Sequence, residues 1–295
     1  MKVGFVSIVG RPNAGKSTLI NSIIGSKVAI VSDKAHTTRN NVQGIYNDDD
    51  SQIVFIDTPG VHKPIHKLGK YMNNEAYYSL SDADVILFMI DATKELGKGD
   101  KFILEKLKNE DAPVFLVLNK VDKLKKESLF SMIEEYGKLF DFKEIIPISA
   151  LKSDNIDDLI NTIKKYLNEG EAYYSYEYYT DKSINFMASE LVREKVLNLT
   201  NEEVPHAVTC ITEKYEDNGS SVHLNILIIV EREGLKKILV GHNGSMIKQI
   251  GTEARHDIEE LIGKKVYLEL FVKVVNNWRE KEKYLTEFGF KKEDE

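Results

Sequence analysis

The sequence predicts an α/β protein of two parts: a mostly parallel sheet with helices on both faces, followed by a smaller α+β part. Over the first 168 residues, apolar runs rich in valine and isoleucine alternate with amphipathic helical segments. Continuous apolar strands in such an alternation are typical of parallel sheets that are covered on both faces. After residue 183, the pattern changes to helix, two strands, two helices and a strand.

The apolar runs and helical periods place the individual elements. We expect strands near residues 3–9, 43–48, 52–57, 84–91, 113–119 and 144–148, and helices near 16–24, 70–79, 98–108, 128–138 and 156–167. A polar, tyrosine-rich stretch follows, and it shows neither a helical nor a strand period. We therefore predict one domain over residues 1–168, a linker over 169–183 and a second domain over 184–295.

Composition narrows the class of protein. The chain has 295 residues, which is enough for two hydrophobic cores. No apolar run reaches the length of a membrane span, and the first residues lack the layout of a signal peptide. Cys210 is the only cysteine, which excludes an internal disulfide and fits a reducing cytoplasm. The net charge of −7 argues against a globally basic nucleic-acid binder, although it allows a local basic patch.

The segment GRPNAGKS directly follows the first apolar run. Its spacing, GxxxxGK[ST], is that of a phosphate-binding loop, in which main-chain N–H groups surround phosphate oxygens. The lysine reaches the β- and γ-phosphates, the serine hydroxyl binds Mg²⁺, and the helix N-terminus adds positive potential. The predicted nucleotide-binding residues here are Gly10, Asn13, Ala14, Gly15, Lys16, Ser17 and Thr18.

Two further segments favour a magnesium-bound triphosphate. The strand QIVFIDTPG ends in Asp57, which suits Mg²⁺ held through water, and in Gly60, whose N–H can contact a γ-phosphate. The polar stretch AHTTRN contains Thr37 and Thr38. A threonine there can bind Mg²⁺ only while the γ-phosphate is present, which makes the stretch a switch, and we favour Thr38.

The next two strands end in residues that can select a base. VFLVLNKVD ends in Asn119, Lys120 and Asp122, and the Asp122 carboxylate can accept hydrogen bonds from guanine N1–H and the 2-amino group. Adenine lacks both donors, so the carboxylate would be left unpaired. Asn119 is expected to tie the loops together. The strand IIPISAL presents main-chain N–H groups to the other edge of the base from Ser149, Ala150 and Leu151.

The second part has the order of a KH (type II-like) RNA-binding domain. Two helices flank the turn GHNG, and glycines in such a turn let the backbone of single-stranded nucleic acid approach closely. No carboxylate occurs over residues 235–252, so the lysines around the turn form a modest basic patch. The predicted RNA-binding residues are Lys237, Gly241, His242, Asn243, Gly244, Ser245 and Lys248.

Over essentially its whole length, the chain resembles the Era family of bacterial GTPases. The resemblance rests on GRPNAGKST, VSDKAHTTRN, DTPGVHKP, NKVD, ISALK, ASELVREKVL and VGHNGSMIKQIG. It implies a cytoplasmic GTP hydrolase that binds GTP and GDP with Mg²⁺. It also implies binding near the 3′ end of small-subunit ribosomal RNA, a role in maturation of the small ribosomal subunit, and peripheral contact with the inner face of the cell membrane. We expect a monomer.

Three positions qualify the mechanism that this resemblance implies. Val61 stands where many GTPases carry a water-positioning glutamine, so we predict slow intrinsic hydrolysis and assign no general base. In the wider family, an asparagine at the place of Asn13 coordinates K⁺, so we expect K⁺ to assist the phosphate-stabilising residues Lys16, Asn13 and Gly60. Between the glycines of the GHNG turn, related proteins often carry a lysine, whereas this chain has His242 and Asn243.

Two other functions stay open at this stage. The chain could be a GTPase that acts on another target, such as tRNA modification or a protein partner. It could also be an RNA-binding protein whose nucleotide domain is inactive. If the bound protein protected ribosomal RNA, that result would argue against the first alternative. If the chain released phosphate from GTP, that result would argue against the second.

Overall fold

The structure is a computed structural model that describes residues 1–61 and 63–290. The chain folds into two compact units. The first unit comprises residues 1–29, 38–63 and 72–181, and the second comprises residues 30–37, 64–71 and 182–295. Within the described ranges, no helix is both long and apolar enough to cross a membrane.

The first unit contains a seven-stranded sheet in the order β2-β3-β1-β4-β5-β6, with β7 paired to β1. Strands β1, β3, β4, β5 and β6 run parallel, whereas β2 and β7 are antiparallel to their partners. The predicted fold class is confirmed. The elements are β1 (Lys2–Val9), α1 (Lys16–Ile24), β2 (Val42–Asn47), β3 (Ser51–Asp57), α2 (Lys67–Ser81), β4 (Val85–Asp91), α3 (Lys98–Leu107), β5 (Val114–Asn119), α4 (Lys126–Gly137), β6 (Glu144–Pro147), α5 (Ile156–Lys164) and β7 (Asn168–Glu169).

Apolar side chains cover both faces of this sheet. Along β4, Val85, Leu87 and Met89 enter one buried cluster, and Ile86 and Phe88 enter the cluster on the opposite face. Successive strand residues point to opposite faces, so a strand buried on both faces reads as a continuous apolar run. Tight packing on both faces fixes the carboxyl ends of β1, β3 and β5, where the predicted site residues follow.

The stretch interpreted as a linker has more regular structure than its sequence predicts. β7 covers residues 168–169 and pairs with β1, and Thr180 forms an antiparallel bridge to Gly44 in β2. Tyr174 donates two hydrogen bonds to the first unit, from its N–H to Gln52 and from its hydroxyl to Gln43. These contacts are made with distant residues, which is why no local period announced them.

The second unit contains a three-stranded sheet in the order β10-β9-β8. β8 is antiparallel to β9, and β10 is parallel to it. Along β9, Val222, Leu224, Ile226 and Ile228 face a buried cluster shared with the helices. The elements are α6 (Ile184–Leu199), α7 (Val204–Ala207), β8 (Thr209–Asp217), β9 (Ser221–Val230), α8 (Glu233–Val240), α9 (Ser245–Ile262), β10 (Lys265–Val274) and α10 (Glu282–Glu287). The predicted order of a helix, two strands, two helices and a strand is present, with the short α7 added between α6 and β8 and with α10 after β10.

Candidate functional site

Backbone crowding explains the two glycines of the loop between β1 and α1. A Cβ atom on Gly10 would lie 2.2 Å from the carbonyl oxygen of Met89, and one on Gly15 would lie 2.2 Å from Nδ2 of Asn119. Gly15 also has a φ of 102°, a left-handed conformation that a side chain disfavours. The loop is therefore packed against β4 and against the loop after β5, and any larger residue would push it outward.

Lys16 is buried at the start of α1 and has weak protein partners. Its Nζ lies 3.5 Å from the carbonyl oxygen of Gly10 and 3.4 Å from that of Arg11. Burial lowers the pKa of Lys16, and the negative charge of Asp57 opposes this shift. An ammonium group with long contacts in a desolvated site favours additional anionic ligands, such as phosphate oxygens.

Three side-chain oxygens converge beside Lys16. Ser17 Oγ lies 2.6 Å from Asp57 Oδ2 and 3.0 Å from Thr38 Oγ1, and Thr38 Oγ1 lies 3.1 Å from Asp57 Oδ2. Asp57 is fully buried, and its Oδ1 is a buried atom with no hydrogen-bond partner among the described residues. Burial raises the pKa of Asp57, and Lys16 is the largest opposing influence. Hydroxyl and carboxylate oxygens around an unsatisfied acceptor fit Mg²⁺, which prefers oxygen ligands.

Gly60 and Val61 lie against the loop between β1 and α1. A Cβ atom on Gly60 would lie 2.8 Å from the backbone nitrogen of Pro12, so the two backbones touch. Val61 is buried in the apolar cluster that contains Val9, and its N–H lies 3.4 Å from the Gly10 carbonyl oxygen. Val61 thus serves as a core residue, in line with its inability to orient water.

Of the two histidines closest after Gly60, the described one, His66, is already paired. His66 Nδ1 lies 2.6 Å from Glu280 Oε1 within the second unit. His62 lies outside the described residues. We therefore assign no general base from these histidines, as the sequence analysis also assigned none.

The loops after β5 and β6 are joined through Asn119. Its Nδ2 donates to the Ala14 carbonyl oxygen at 2.8 Å, and its Oδ1 accepts from the Ala150 N–H at 3.0 Å. Lys120 Nζ donates to the Asn13 carbonyl oxygen at 3.0 Å and pairs with Asp91 at 2.7 Å. One amide side chain therefore fixes the phosphate loop and the base loops against each other.

Asp122 is held by a contact that sequence reasoning missed. Ser149 Oγ donates to Asp122 Oδ1 at 2.7 Å, and this hydrogen bond is the main cause that lowers the pKa of Asp122. The Ser149 N–H donates to the Asp154 carbonyl oxygen, so both main-chain donors of Ser149 and Ala150 have partners within the protein. Leu151 is exposed beside them. Their predicted contact with the base stays a prediction.

A second missed contact anchors the phosphate loop itself. Arg11 lies between the two required glycines, and its NH1 donates to Asp100 Oδ2 at 2.9 Å. The two residues are 89 positions apart. Asp100 carries no motif, so no signal in a single sequence could have paired them. Asn13 is exposed in the same loop with a φ of 64°, and Thr18 is half-buried in the first turn of α1.

The GHNG turn in the second unit leaves its polar groups on the surface. Gly241, Asn243 and Gly244 have φ values of 73°, 50° and 77°, which makes the turn a tight left-handed junction between α8 and α9. A Cβ atom on Gly241 would lie 2.8 Å from the Met246 nitrogen, whereas one on Gly244 would meet open space. The predicted RNA-binding side chains around the turn, none of them buried, are Lys237, His242, Asn243, Ser245 and Lys248.

Comparisons with known proteins agree with both units. A family model described as a 50S ribosome-binding GTPase matches residues 5–120, and a KH domain model matches residues 203–279. One similar solved structure is Era in complex with MgGDPNP and nucleotides 1506–1542 of 16S ribosomal RNA. Another is a tyrosine-to-alanine variant of Aquifex aeolicus Era bound to GDP and AlF4⁻.

Each of these two Era structures is 43% identical to this chain, with a TM-score of 0.94. Each comparison covers 98% of this chain and 99% of the other. The similarity therefore extends through both units and includes the described phosphate loop, base loops and GHNG turn. The chain belongs to the Era family of GTPases.

Proposed function

We propose that this protein is a GTP-hydrolysing switch that binds the 3′ end region of small-subunit ribosomal RNA and acts in maturation of the small ribosomal subunit. The observation that carries the proposal is the cluster of Ser17, Thr38 and Asp57 beside the buried ammonium group of Lys16. The related Era structure with MgGDPNP and 16S ribosomal RNA supports both ligands.

The chain's residues suit the binding and cleavage of a triphosphate. Ser17, Thr38 and Asp57 would hold Mg²⁺, which neutralises charge on the β- and γ-phosphates when bound. Lys16 would contact the same phosphates, and the N–H of Gly60 would contact the γ-phosphate. Such positive charge and N–H donors, placed where negative charge develops, would stabilise the transition state.

RNA binding at the GHNG turn should depend on a few contacts between lysines and phosphates, and therefore on the salt concentration. The lysines around the turn neutralise a few phosphates, so the affinity should fall as the salt concentration rises. The first turn of α9, which begins at Ser245, presents main-chain N–H groups to the same surface. Because the second unit is not basic as a whole, recognition must also use the bases.

Crosslinking in two nucleotide states tests the proposal. The full chain is irradiated with total ribosomal RNA in the presence of Mg²⁺ and either GDPNP or GDP, and the captured fragments are sequenced. We expect enrichment of the 3′ end of small-subunit ribosomal RNA, with more capture in GDPNP. Capture of tRNA or of no RNA would contradict the proposed target, and phosphate release measured in parallel would separate that result from an inactive nucleotide domain.

The GHNG turn should tolerate a change that blocks RNA alone. Gly244→Asp is expected to weaken RNA binding by about tenfold, because a carboxylate would face the phosphate backbone. Open space surrounds the Cβ position of Gly244, so no neighbour has to move. Its φ of 77° strains any side chain, although aspartate tolerates this conformation better than most residues. Filter binding with RNA and calorimetry with GDPNP measure the two affinities.

Gly263→Asp is the matched control for that variant. Gly263 lies at the opposite end of α9, has a φ of 70° and also has open space around its Cβ position. The Gly263→Asp variant adds the same charge to α9, but at the end away from the turn, so RNA binding should stay near the wild-type value. Equal losses in both variants would mean that the turn is not the RNA site.

Potassium should accelerate hydrolysis through Asn13. We expect phosphate release to be about tenfold faster in K⁺ than in Na⁺ at equal ionic strength, because a cation beside the β–γ bridge stabilises developing charge. Asn13→Gly keeps the left-handed φ of 64° accessible while removing the amide. Its rate in K⁺ should fall to the rate in Na⁺. Identical wild-type rates in the two salts would refute a potassium role.

The remaining parts of the proposal come from the sequence pattern and from the family resemblance. They are a monomer, a cytoplasmic location with peripheral contact at the inner face of the membrane, and domains over residues 1–168 and 184–295. Residues up to Asp181 belong to the first unit, and Asp181 accepts a hydrogen bond from the Gln43 N–H, which favours a boundary between the two units after Asp181. Sedimentation of the purified chain and fractionation of cells test the first two parts.

A further inference from the structure

We infer that Arg11 is a positioning residue, which holds the outer limb of the phosphate loop so that Pro12 and Gly60 meet at the γ-phosphate end. The inference rests on the proposed GTP site and adds the residue that sets its preference for a triphosphate over a diphosphate. The outer limb is defined here as residues 11–13.

The anchor of this limb is an ion pair with a buried carboxylate. Arg11 NH1 lies 2.9 Å from Asp100 Oδ2, and the Asp100 side chain is only 3% exposed. The same Asp100 oxygen accepts from the Gly97 N–H at 2.8 Å, at the start of α3. Tyr136 also hydrogen-bonds this carboxylate. A buried carboxylate with several fixed donors is a rigid attachment point, because losing a charged donor leaves it less well satisfied.

The start of α3 is shaped to receive the arginine. A Cβ atom on Gly97 would lie 2.8 Å from Arg11 NH1, and one on Gly99 would lie 3.3 Å from Arg11 Cδ. Gly97 has a φ of −109°, which any residue can adopt, so its own backbone does not require glycine. A side chain at residue 97 would therefore fit only if the Arg11 guanidinium group moved away.

On the same side, Lys120 Nζ also holds the limb, through its hydrogen bond to the Asn13 carbonyl oxygen at 3.0 Å. A cavity of about 160 Å³ adjoins Arg11, Pro12 and Asn13, and it is also lined by Asp91 and Tyr136. Side chains do not fill this volume, so close packing cannot hold the limb in place. Arg11 and Asp100 both line this cavity, and their ion pair attaches the start of the limb to α3.

The main chain of the limb touches the groups that would read the γ-phosphate. The Arg11 carbonyl oxygen lies 3.4 Å from Lys16 Nζ, and Pro12 lies in backbone contact with Gly60. The inner part of the loop is held separately, through the hydrogen bond from Asn119 to the Ala14 carbonyl oxygen. Releasing Arg11 should therefore disturb the γ-phosphate end more than the cradle of the α- and β-phosphates.

Nucleotide selectivity tests this inference in the full chain. Calorimetry with Mg²⁺ gives the affinities for GDPNP and GDP, and their ratio is compared among wild type, Arg11→Met, Asp100→Asn and Gly97→Ala. We expect about tenfold weaker GDPNP binding and at most about twofold weaker GDP binding in each variant, the loss of one charge-assisted contact. Gly97→Ala keeps both charges and breaks their contact only by displacing the guanidinium group.

Controls separate positioning from stability. Lys98→Met removes an exposed positive charge from the same turn of α3 and should leave the ratio at the wild-type value. Thermal unfolding midpoints identify a variant that fails to fold. If Arg11→Met fails to fold, the affinity ratios of Gly97→Ala and Asp100→Asn test the inference. Equal weakening of both nucleotides, or an unchanged ratio in Gly97→Ala, would overturn the inference. A wild type that prefers ATP to GTP would instead overturn the proposed function.

Discussion

Asp122→Asn is expected to weaken GTP binding by about 1,000-fold and to favour xanthosine triphosphate instead. Guanine offers two donors, N1–H and the 2-amino group, to a carboxylate that only accepts. The asparagine amide would place its NH₂ group against the 2-amino group of guanine, so one donor faces another. Xanthine carries an oxygen at that position, which can accept from the amide.

The geometry around Asp122 suggests that Asp122→Asn changes the preferred base without displacing the neighbouring loop. The Ser149 hydroxyl donates to Asp122 Oδ1 and lowers the pKa of Asp122, so the wild-type carboxylate is ionised at neutral pH. Asparagine Oδ1 can accept the same hydrogen bond, so the loop after β6 should keep its position. Competition of GTP, ATP and xanthosine triphosphate for a fluorescent guanine nucleotide measures the preference.

A charge-matched control accompanies this variant. Asp141→Asn removes one negative charge from an exposed loop of the same unit and should leave all three affinities unchanged. If Asp122→Asn keeps the wild-type preference for GTP, the base is not read by this carboxylate, and the assignment of the base loops fails with it.

The sequence predicts β1 to β6 of the first unit because most of these strands are apolar runs. The run VILFMID in β4 is apolar at almost every position, and the structure sends alternate residues to opposite faces of the sheet. Such a run has few stable alternatives in a chain that also contains amphipathic helices. The motif residues then follow at strand ends, so predicting the strands also places them.

Contacts between distant residues are what the sequence does not reveal. Arg11 pairs with Asp100, Ser149 with Asp122, and Thr180 with Gly44. None of these pairs has a fixed spacing or a period, and one sequence carries no record of which residues meet. For this reason the sequence predicts a linker in the tyrosine-rich stretch, although that stretch pairs with the first sheet through such contacts.

Glycines are required for two different reasons, either their own backbone conformation or a distant part of the chain that lies against them. Gly15, Gly241 and Gly244 have left-handed φ values, and their turn motifs predict this. Gly10 and Gly97 have no such requirement, and each is small because another part of the chain lies against it. Motif spacing therefore predicts conformation, whereas only the structure identifies the neighbour that excludes a side chain.

Lys16→Met is expected to weaken the binding of both GDP and GDPNP, by about 1,000-fold for GDPNP, because two charge-assisted phosphate contacts are lost. Methionine is close to the lysine stem in shape, so the buried volume stays filled. Lys16 is 6% exposed, and its two carbonyl contacts are long, so most of its favourable contacts form only with the nucleotide. Calorimetry measures both affinities.

Lys126→Met provides the matched control for this variant. Lys126 is exposed at the start of α4, so its loss changes the net charge equally without touching the phosphate loop.

Loss of Lys16 also removes the cation that opposes the raised pKa of Asp57, so Asp57 should take up a proton at a higher pH. A protonated Asp57 accepts a metal poorly, and Mg²⁺ affinity should therefore fall together with nucleotide affinity. GDPNP binding within about tenfold of wild type would show that main-chain N–H groups alone hold the phosphates.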